Sequence, residues 1–405
     1  PLYSSAASDV YKRQIMAGIQ LFKANFDVEA CLAQVRECLE KGWTGMGFKT
    51  VELEEEWKKY TGHKYSYYIN SNTAGLYMAV DTLKELYGWA DGDEIISTPL
   101  TFISTNHAIP KSNLKAVFAD VDDTLCLDPM SVKEHITDKT RAVIFVGFGG
   151  NTGSFKEVVK ICKENNLKLI LDAAHMSGTR YADGSVPGTN GDADITVYSF
   201  QAVKNLPTGD SGMICTDDAK LDEIFRKKAW LGINKDTYAR TVNKEGTYKW
   251  KYDVEYVGDK YNGNAIMAGI ALAQLPHLDR DNAYRRTLAQ WYTEVFSKYP
   301  EQIGLVKIPE DCVSSRHLFQ IMVKDRDGLM MYLNSNEVYP GVHYVVNTDY
   351  RMYAYGKGTC PKAEFVSDHI ISLPMHMGVS FADVQRITEL VVKYIMEIKK
   401  GESLM

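Results

Sequence analysis

The sequence predicts an α/β fold in which a large domain built on a mostly parallel β-sheet precedes a smaller α+β domain. Three observations predict it. From about residue 64 to residue 216, apolar runs of strand length alternate with amphipathic helical segments, the order that gives parallel strands joined by helical crossovers. After about residue 255 that alternation stops, and a long helical stretch, one strand and a closing helix follow. The chain has 405 residues, more than one ordinary core accommodates.

The elements follow in order. Asp27 is a predicted N-cap for a helix whose Val28, Cys31, Leu32, Val35 and Leu39 recur at helical spacing, with Gly42 as its stop. "KYSYYINS" predicts a strand and "TAGLYMAVDTLKELYG" the helix after it. "DEIISTP", "KAVFADV" and "AVIFVGF" predict further strands, and "FKEVVKICKENN" a helix with Val158, Val159 and Cys162 on one face. "LKLILDAA", "DADITVYSF" and "GMICTD" predict short strands. Beyond them, "AIMAGIALAQLPHLDRDNAYRRTLAQWYTEVFSKY" is helical with a kink expected at Pro276. "HLFQIMV" is a strand, and "DVQRITELVVKYIMEIKK" is the closing helix. The expected organisation is a tail over 1–15 outside the fold, with Met16 as a natural start, a large domain over 16–255 and a small one over 256–405.

Composition excludes several classes. The net charge is -6 and there is no dense Lys/Arg block, so nothing favours nucleic acid. No apolar run reaches the length of a membrane helix. The seven cysteines form no CxxC pair, which argues against a zinc site or a disulfide framework and for reduced thiols in a cytoplasmic protein.

Parallel sheets bind ligands beyond the carboxyl ends of their strands, so the residues just after the predicted strands carry the functional reading. "SNTAGL" (71–76) opens a helix whose free N–H groups suit a phosphate, although simple capping explains it equally. "LILDAAH" (169–175) ends a strand on Asp172, either a helix cap or a buried carboxylate awaiting a cation. "YSFQAVKN" (198–205) sets Ser199 and Lys204 five residues apart, a turn with a solvated lysine or a hydroxyl for a phosphate beside a Schiff-base former. "GWTGMGFKTVELEEEW" (42–57) is a loosened loop before a Glu-rich helix.

Each stretch alone is weak. In this order, together with "GDEIISTPLTFISTNHAI", "VFADVD", "YSFQAVKNLPTGDSGM", "DKYNGNAIMAGIALAQLPHLD", "VHY" and "ISLPMH", they closely resemble the DegT/DnrJ/EryC1/StrS family of pyridoxal-phosphate (PLP) sugar aminotransferases, from about Leu21 to Val392. The resemblance implies an aspartate-aminotransferase-type (fold type I) large domain and a homodimer with active sites at the subunit interface. It implies that Lys204 forms the Schiff base with PLP and later moves a proton, that Asp172 pairs with the ring nitrogen, and that His175 lies near the ring's phenolic oxygen. Phe102 should stack on the ring, and Asn72, Thr73 and Ser199 should hold the phosphate. Asn262, with Lys260 close by, should reach the phosphate of the neighbouring subunit. The implied reaction takes an amino group from an amino acid, L-glutamate by analogy, to a keto-sugar carried on a nucleotide. A keto-cyclitol acceptor and a non-catalytic PLP-binding protein are the alternatives.

The chain departs from the family pattern in three places: Asn72 where Gly is common, "GDSG" (209–212) for a "GEGG" stretch, and "FVGFGGNTG" (145–153) for an "HLYG"-like one. These departures bear on the substrate. Lys204 is present where some sugar dehydratases of the family carry His, which favours transamination. His317, His343, Tyr344, His376, Trp43 and Thr44 are further candidates for the pocket. The basic run Arg226 to Lys228 is a candidate for a diphosphate, although a solvated helix face explains it as well.

Overall fold

The computed structural model describes residues 18–234 and 252–404. The expected tail over 1–15 and the start at Met16 lie outside the described residues. Seven strands form the central sheet: β1 (Tyr65–Ile69), β2 (Glu94–Ser97), β3 (Lys115–Phe118), β4 (Thr140–Val146), β5 (Lys168–Asp172), β6 (Ile195–Ser199) and β7 (Gly212–Thr216). Their order across the sheet is β1-β7-β6-β5-β4-β2-β3. All neighbours run parallel except β7, which is antiparallel to both β1 and β6. Six strands, β1 to β6, therefore deliver their carboxyl ends to one edge.

The strands are apolar on both faces because helices cover both. The longer helices along the chain are α1 (Val28–Glu40), α2 (Phe48–Thr61), α3 (Asn72–Tyr87), α4 (Ile103–Lys111), α5 (Phe155–Glu164), α6 (Ala219–Lys228), α7 (Ala265–Gln274) and α8 (Leu278–Phe296), then α9 (Arg326–Ser335), α10 (Pro361–His369) and α11 (Phe381–Lys393), of which α9 and α11 pack in a second core. Asp27 caps α1, its carboxylate accepting from the Ala30 N–H at 3.0 Å. The chain bends at Pro276, where a 3₁₀ turn (Leu275–His277) separates α7 from α8. Helix α3 lies very close to the sheet: a Cβ on Gly75 would come within 2.5 Å of both Ile69 Cδ1 and Val197 Cγ1.

The stripe Val28, Leu32, Leu39 of α1 is exposed. The helix instead buries Cys31 and Cys38 against α7, whose Gln274 side chain and Ala265 carbonyl receive their thiols. The described residues form two apolar cores. Ala268, Ala271 and Leu278 belong to the core of the sheet, as do Tyr353, Ala363 and Val366 further on. The second core starts at Leu288 and surrounds a three-stranded antiparallel sheet of β8 (Gly304–Leu305), β9 (Phe319–Met322) and β10 (Ile370–Leu373). The small residues of α7 let it approach α1 so closely that a Cβ on Gly269 would sit 3.1 Å from Gln34 Cβ.

The contact beneath Gly75 gives a stability prediction. Gly75→Val should lower the unfolding free energy by about 1–3 kcal/mol through overpacking, measured by urea denaturation. An unchanged midpoint would mean that α3 shifts freely off the sheet.

Candidate active site

A cavity of about 440 Å³ opens at the carboxyl edge of the sheet. Asn72, Thr73, Phe102, Asp172, His175, Ser199 and Lys204 all line it, and Asn262 does not. Sequence positions more than a hundred residues apart meet here because β1, β2, β5 and β6 end at the same edge of one sheet.

Asp172 is the last residue of β5 and is buried. Its carboxylate accepts from Thr105 Oγ1 at 2.7 Å, from the Ala174 N–H at 3.1 Å and from Asn72 Nδ2 at 3.2 Å. Burial pushes its pKa up, against those three donors and the positive charge of Lys204. The Asn72 side chain also donates to the Val197 carbonyl at 3.0 Å. That side chain is thus spent on Asp172 and β6, and only the backbone of Asn72 remains for an anion.

At the start of α3, Ser71 Oγ accepts from the Ala74 N–H at 3.1 Å and its carbonyl accepts from the Gly75 N–H at 3.2 Å. The N–H groups of Asn72 and Thr73 have no partner among the described residues. Two free donors at the positive end of a helix form an anion site, and the buried hydroxyl of Ser199 lines the same cavity. Gly212 permits the approach, because a Cβ there would lie 2.5 Å from the Tyr198 carbonyl oxygen and 2.9 Å from the Asn72 nitrogen.

Lys204 makes no ion pair and no side-chain hydrogen bond among the described residues. Desolvation lowers its pKa to about 8, with the Asp172 charge opposing. His175 is neutral, its pKa held well below the usual value by burial. Its Nδ1 accepts from the Gly149 N–H at 3.1 Å, so the ring proton sits on Nε2 and faces the Tyr344 hydroxyl at 3.1 Å. Phe102 stands at the mouth, 57% exposed, with its ring 6.1 Å from that of Tyr344.

The remaining candidates separate cleanly. His317, His343 and Tyr344 line the cavity. His376 instead holds the N-terminal segment, with Nε2 3.0 Å from the Gln20 carbonyl. Trp43 donates to the Met46 carbonyl at 2.7 Å, and the Thr44 carbonyl accepts from the Ala265 N–H at 3.0 Å; neither lines the cavity. Arg226 pairs with Glu54 and Asp222, Lys227 with Glu223 and Glu255, and Lys228 with Asp81 and Glu85. Lys260 lies over the Trp230 ring at 4.9 Å. Of the "GDSG" departure, Asp210 lines the cavity, whereas Ser211 turns inward to Thr208 at 2.7 Å. The "FVGFGGNTG" segment lines it only through Val146 and otherwise supports His175 from behind.

Sequence reasoning missed Thr105 and Phe22. Thr105 lies one helical turn past Phe102, a spacing that could have marked it. Phe22 arrives from the chain's beginning and carries no local signal.

A profile of the DegT/DnrJ/EryC1/StrS aminotransferase family matches residues 26–392. The chain belongs to that family. A protein of Methanocaldococcus jannaschii, MJ1066, is 32% identical over 90% of this chain and 94% of its own length. The spore coat polysaccharide biosynthesis protein SpsC of Bacillus subtilis is 31% identical over 89% of this chain and 93% of its own length. The aminotransferase TlmJ of Streptoalloteichus hindustanus superposes with a TM-score of 0.85 at 28% identity, covering 94% of this chain and all of TlmJ. Spr1654 of Streptococcus pneumoniae, a sugar aminotransferase by its description, matches in its PMP form with a TM-score of 0.83 at 25% identity over 92% of this chain and 98% of its own, and in a PLP form as well. The protein is a PLP-dependent transaminase of the sugar aminotransferase family. Among the described residues no cluster suits a metal ion, and no helix is long and apolar enough to cross a membrane.

Buried neutral histidines make the fold acid-sensitive. Burial lowers the pKa of His63 and of His343 to about 4. Below the ordinary histidine value the unfolded chain takes protons that the folded chain refuses, so stability falls as pH drops from about 6.5 to about 4. Thermal melting should shift down across that window. A His63→Gln variant should lose less between its ends, and an identical loss would remove His63 as a contributor.

Proposed function

We propose that this enzyme transfers an amino group from L-glutamate to the ketone of a nucleotide-linked sugar, with Lys204 and Asp172 at the centre of the chemistry. The observation that carries the reading is one cavity holding an unpartnered lysine, a buried carboxylate and two free N–H groups at a helix start. These residues fit PLP. Asp172 would face the ring N–H, the α3 N-terminus and Ser199 would take the phosphate, Phe102 would cover the ring, and Lys204 would bind the aldehyde carbon. When bound, the cofactor supplies an electron sink for the α-carbon of an attached amine.

The protein's own groups do the rest. Lys204, with a pKa near 8, is partly a free amine at neutral pH, so its Nζ is a competent nucleophile and base. With the cofactor bound, the same Nζ would be the group that carries a proton away from the donor's Cα. Asp172 would hold the ring N–H, and its three donors favour the carboxylate form. Asp210 presents a carboxylate on the wall where a polar acceptor would lie.

A homodimer completes this reading. Asn262 lies outside its own chain's cavity, and its buried Oδ1 has no partner among the described residues. Exposed Phe102, Met352 and Tyr355, and the outer stripe of α1, supply apolar area for a second copy. The glutamate donor and the nucleotide sugar rest on the family and on the polysaccharide role in the SpsC name.

Lys204→Ala should abolish both the absorption band of covalently bound PLP and transamination; retained turnover would overturn the assignment. Asp172→Asn should keep PLP but cut activity by at least about a hundredfold. Near-normal rates would mean that another group serves the ring nitrogen. The substrate is tested by loading the enzyme with glutamate and offering 3-keto and 4-keto nucleotide sugars beside a keto-cyclitol. Turnover of the cyclitol alone would refute the nucleotide-sugar reading.

A further inference from the structure

His317 is completely buried in the cavity wall and outside the chemistry assigned above. Its orientation is set by a one-way chain of hydrogen bonds. Asn282 Nδ2 donates to the Ser177 carbonyl at 2.9 Å, which leaves Asn282 Oδ1 to accept from Asn205 Nδ2 at 2.7 Å. Asn205 Nδ2 also donates to the Ser315 carbonyl at 2.8 Å, so both its amide hydrogens are spent and its Oδ1 must accept. That oxygen lies 2.9 Å from His317 Nδ1, which therefore carries the ring proton.

The other nitrogen, Nε2, is then a bare acceptor, and it is buried with no partner among the described residues. Such an atom costs stability unless something donates to it. The ring cannot turn away: it is stacked on Phe22 at 5.5 Å and 8° and packed on the His175 ring at 4.4 Å. His175 offers no proton, since its own is engaged with Tyr344. Among the groups lining the cavity, Lys204 has N–H donors and no acceptor of its own. Its charge reaches His317, and it adjoins Asn205 in sequence.

We propose that His317 is a positioning residue for Lys204, its Nε2 accepting one N–H of the lysine's free amine and so fixing where the amine's lone pair points. The proposal rests on Lys204 being the amine of the reaction. His317 stays neutral throughout, so it orients the base without taking its proton. The proton on Nδ1 is what keeps Nε2 an acceptor, and Asn205 enforces it.

The test uses cofactor-free, full-length protein. The ionisation of Lys204 is read from the pH dependence of its labelling by acetic anhydride, followed on the peptide by mass spectrometry. An acceptor stabilises an ammonium more than an amine, so His317→Phe, which keeps the ring stack, should lower the midpoint by about one pH unit. His317→Gln, whose amide oxygen can accept, should recover it. An unchanged midpoint in H317F, or no recovery in H317Q, would overturn the proposal. Nitrogen-15 spectra of the His317 ring in the wild-type protein provide a readout independent of how H317F folds. Nδ1 should be protonated, and the Nε2 signal should follow the Lys204 titration and move in K204A. An Nε2 signal indifferent to both would also overturn it. These measurements need no turnover, so a K204A enzyme that still transaminates would refute the function of Lys204 without deciding the contact.

Discussion

The structure is organised around one buried carboxylate. Asp172 sits at the end of a central strand, where an unbalanced charge would be expensive. Its three donors come from three places: the start of α3, the first turn of α4 and the turn after β5 itself. Satisfying one charge thereby ties two helices to the sheet edge. The same ties set the walls of the cavity, because α3 brings the free N–H pair and α4 follows Phe102. The carboxylate also lines the cavity.

Around that centre the site is built from groups left incomplete. Among the described residues the two α3 amides lack acceptors, Lys204 makes no ion pair, and His317 Nε2 lacks a donor. Protein interiors rarely leave so many polar groups unmatched in one place. The histidines show how carefully the remainder is matched. His175 receives a backbone N–H on Nδ1 and His317 gives its Nδ1 proton to an amide, so two rings in contact are held in opposite tautomers.

Much of this was legible in the sequence, for physical reasons. Strand runs in the sheet are apolar over consecutive positions, and their ends carry the chemistry, so Asp172, Ser199 and the α3 start stood out. Lys204 could not be distinguished from a solvated lysine by its neighbours; its place depended on those other strand ends. What escaped depended on three-dimensional adjacency. Asn72 looked like a phosphate ligand, but its amide is spent on a residue a hundred positions away. The stripe of α1 had the spacing of a buried face, yet α1 is buried through its cysteines. Alanine and glycine in α7 carry little hydrophobic signal and still pack tightly, so its part in the core of the sheet did not show in the sequence.

The short segment around Phe22 has a wider meaning. Ile19 is hydrogen-bonded on both sides to the second core, through Glu337 and Tyr339, and Gln20 is held by His376. Phe22, at the end of that tether, stacks on His317, and His343 is anchored to Ser372 in β10. One flank of the cavity thus belongs to the second core, while Asp172, Ser199 and Lys204 belong to the sheet. The cavity is a seam between two bodies.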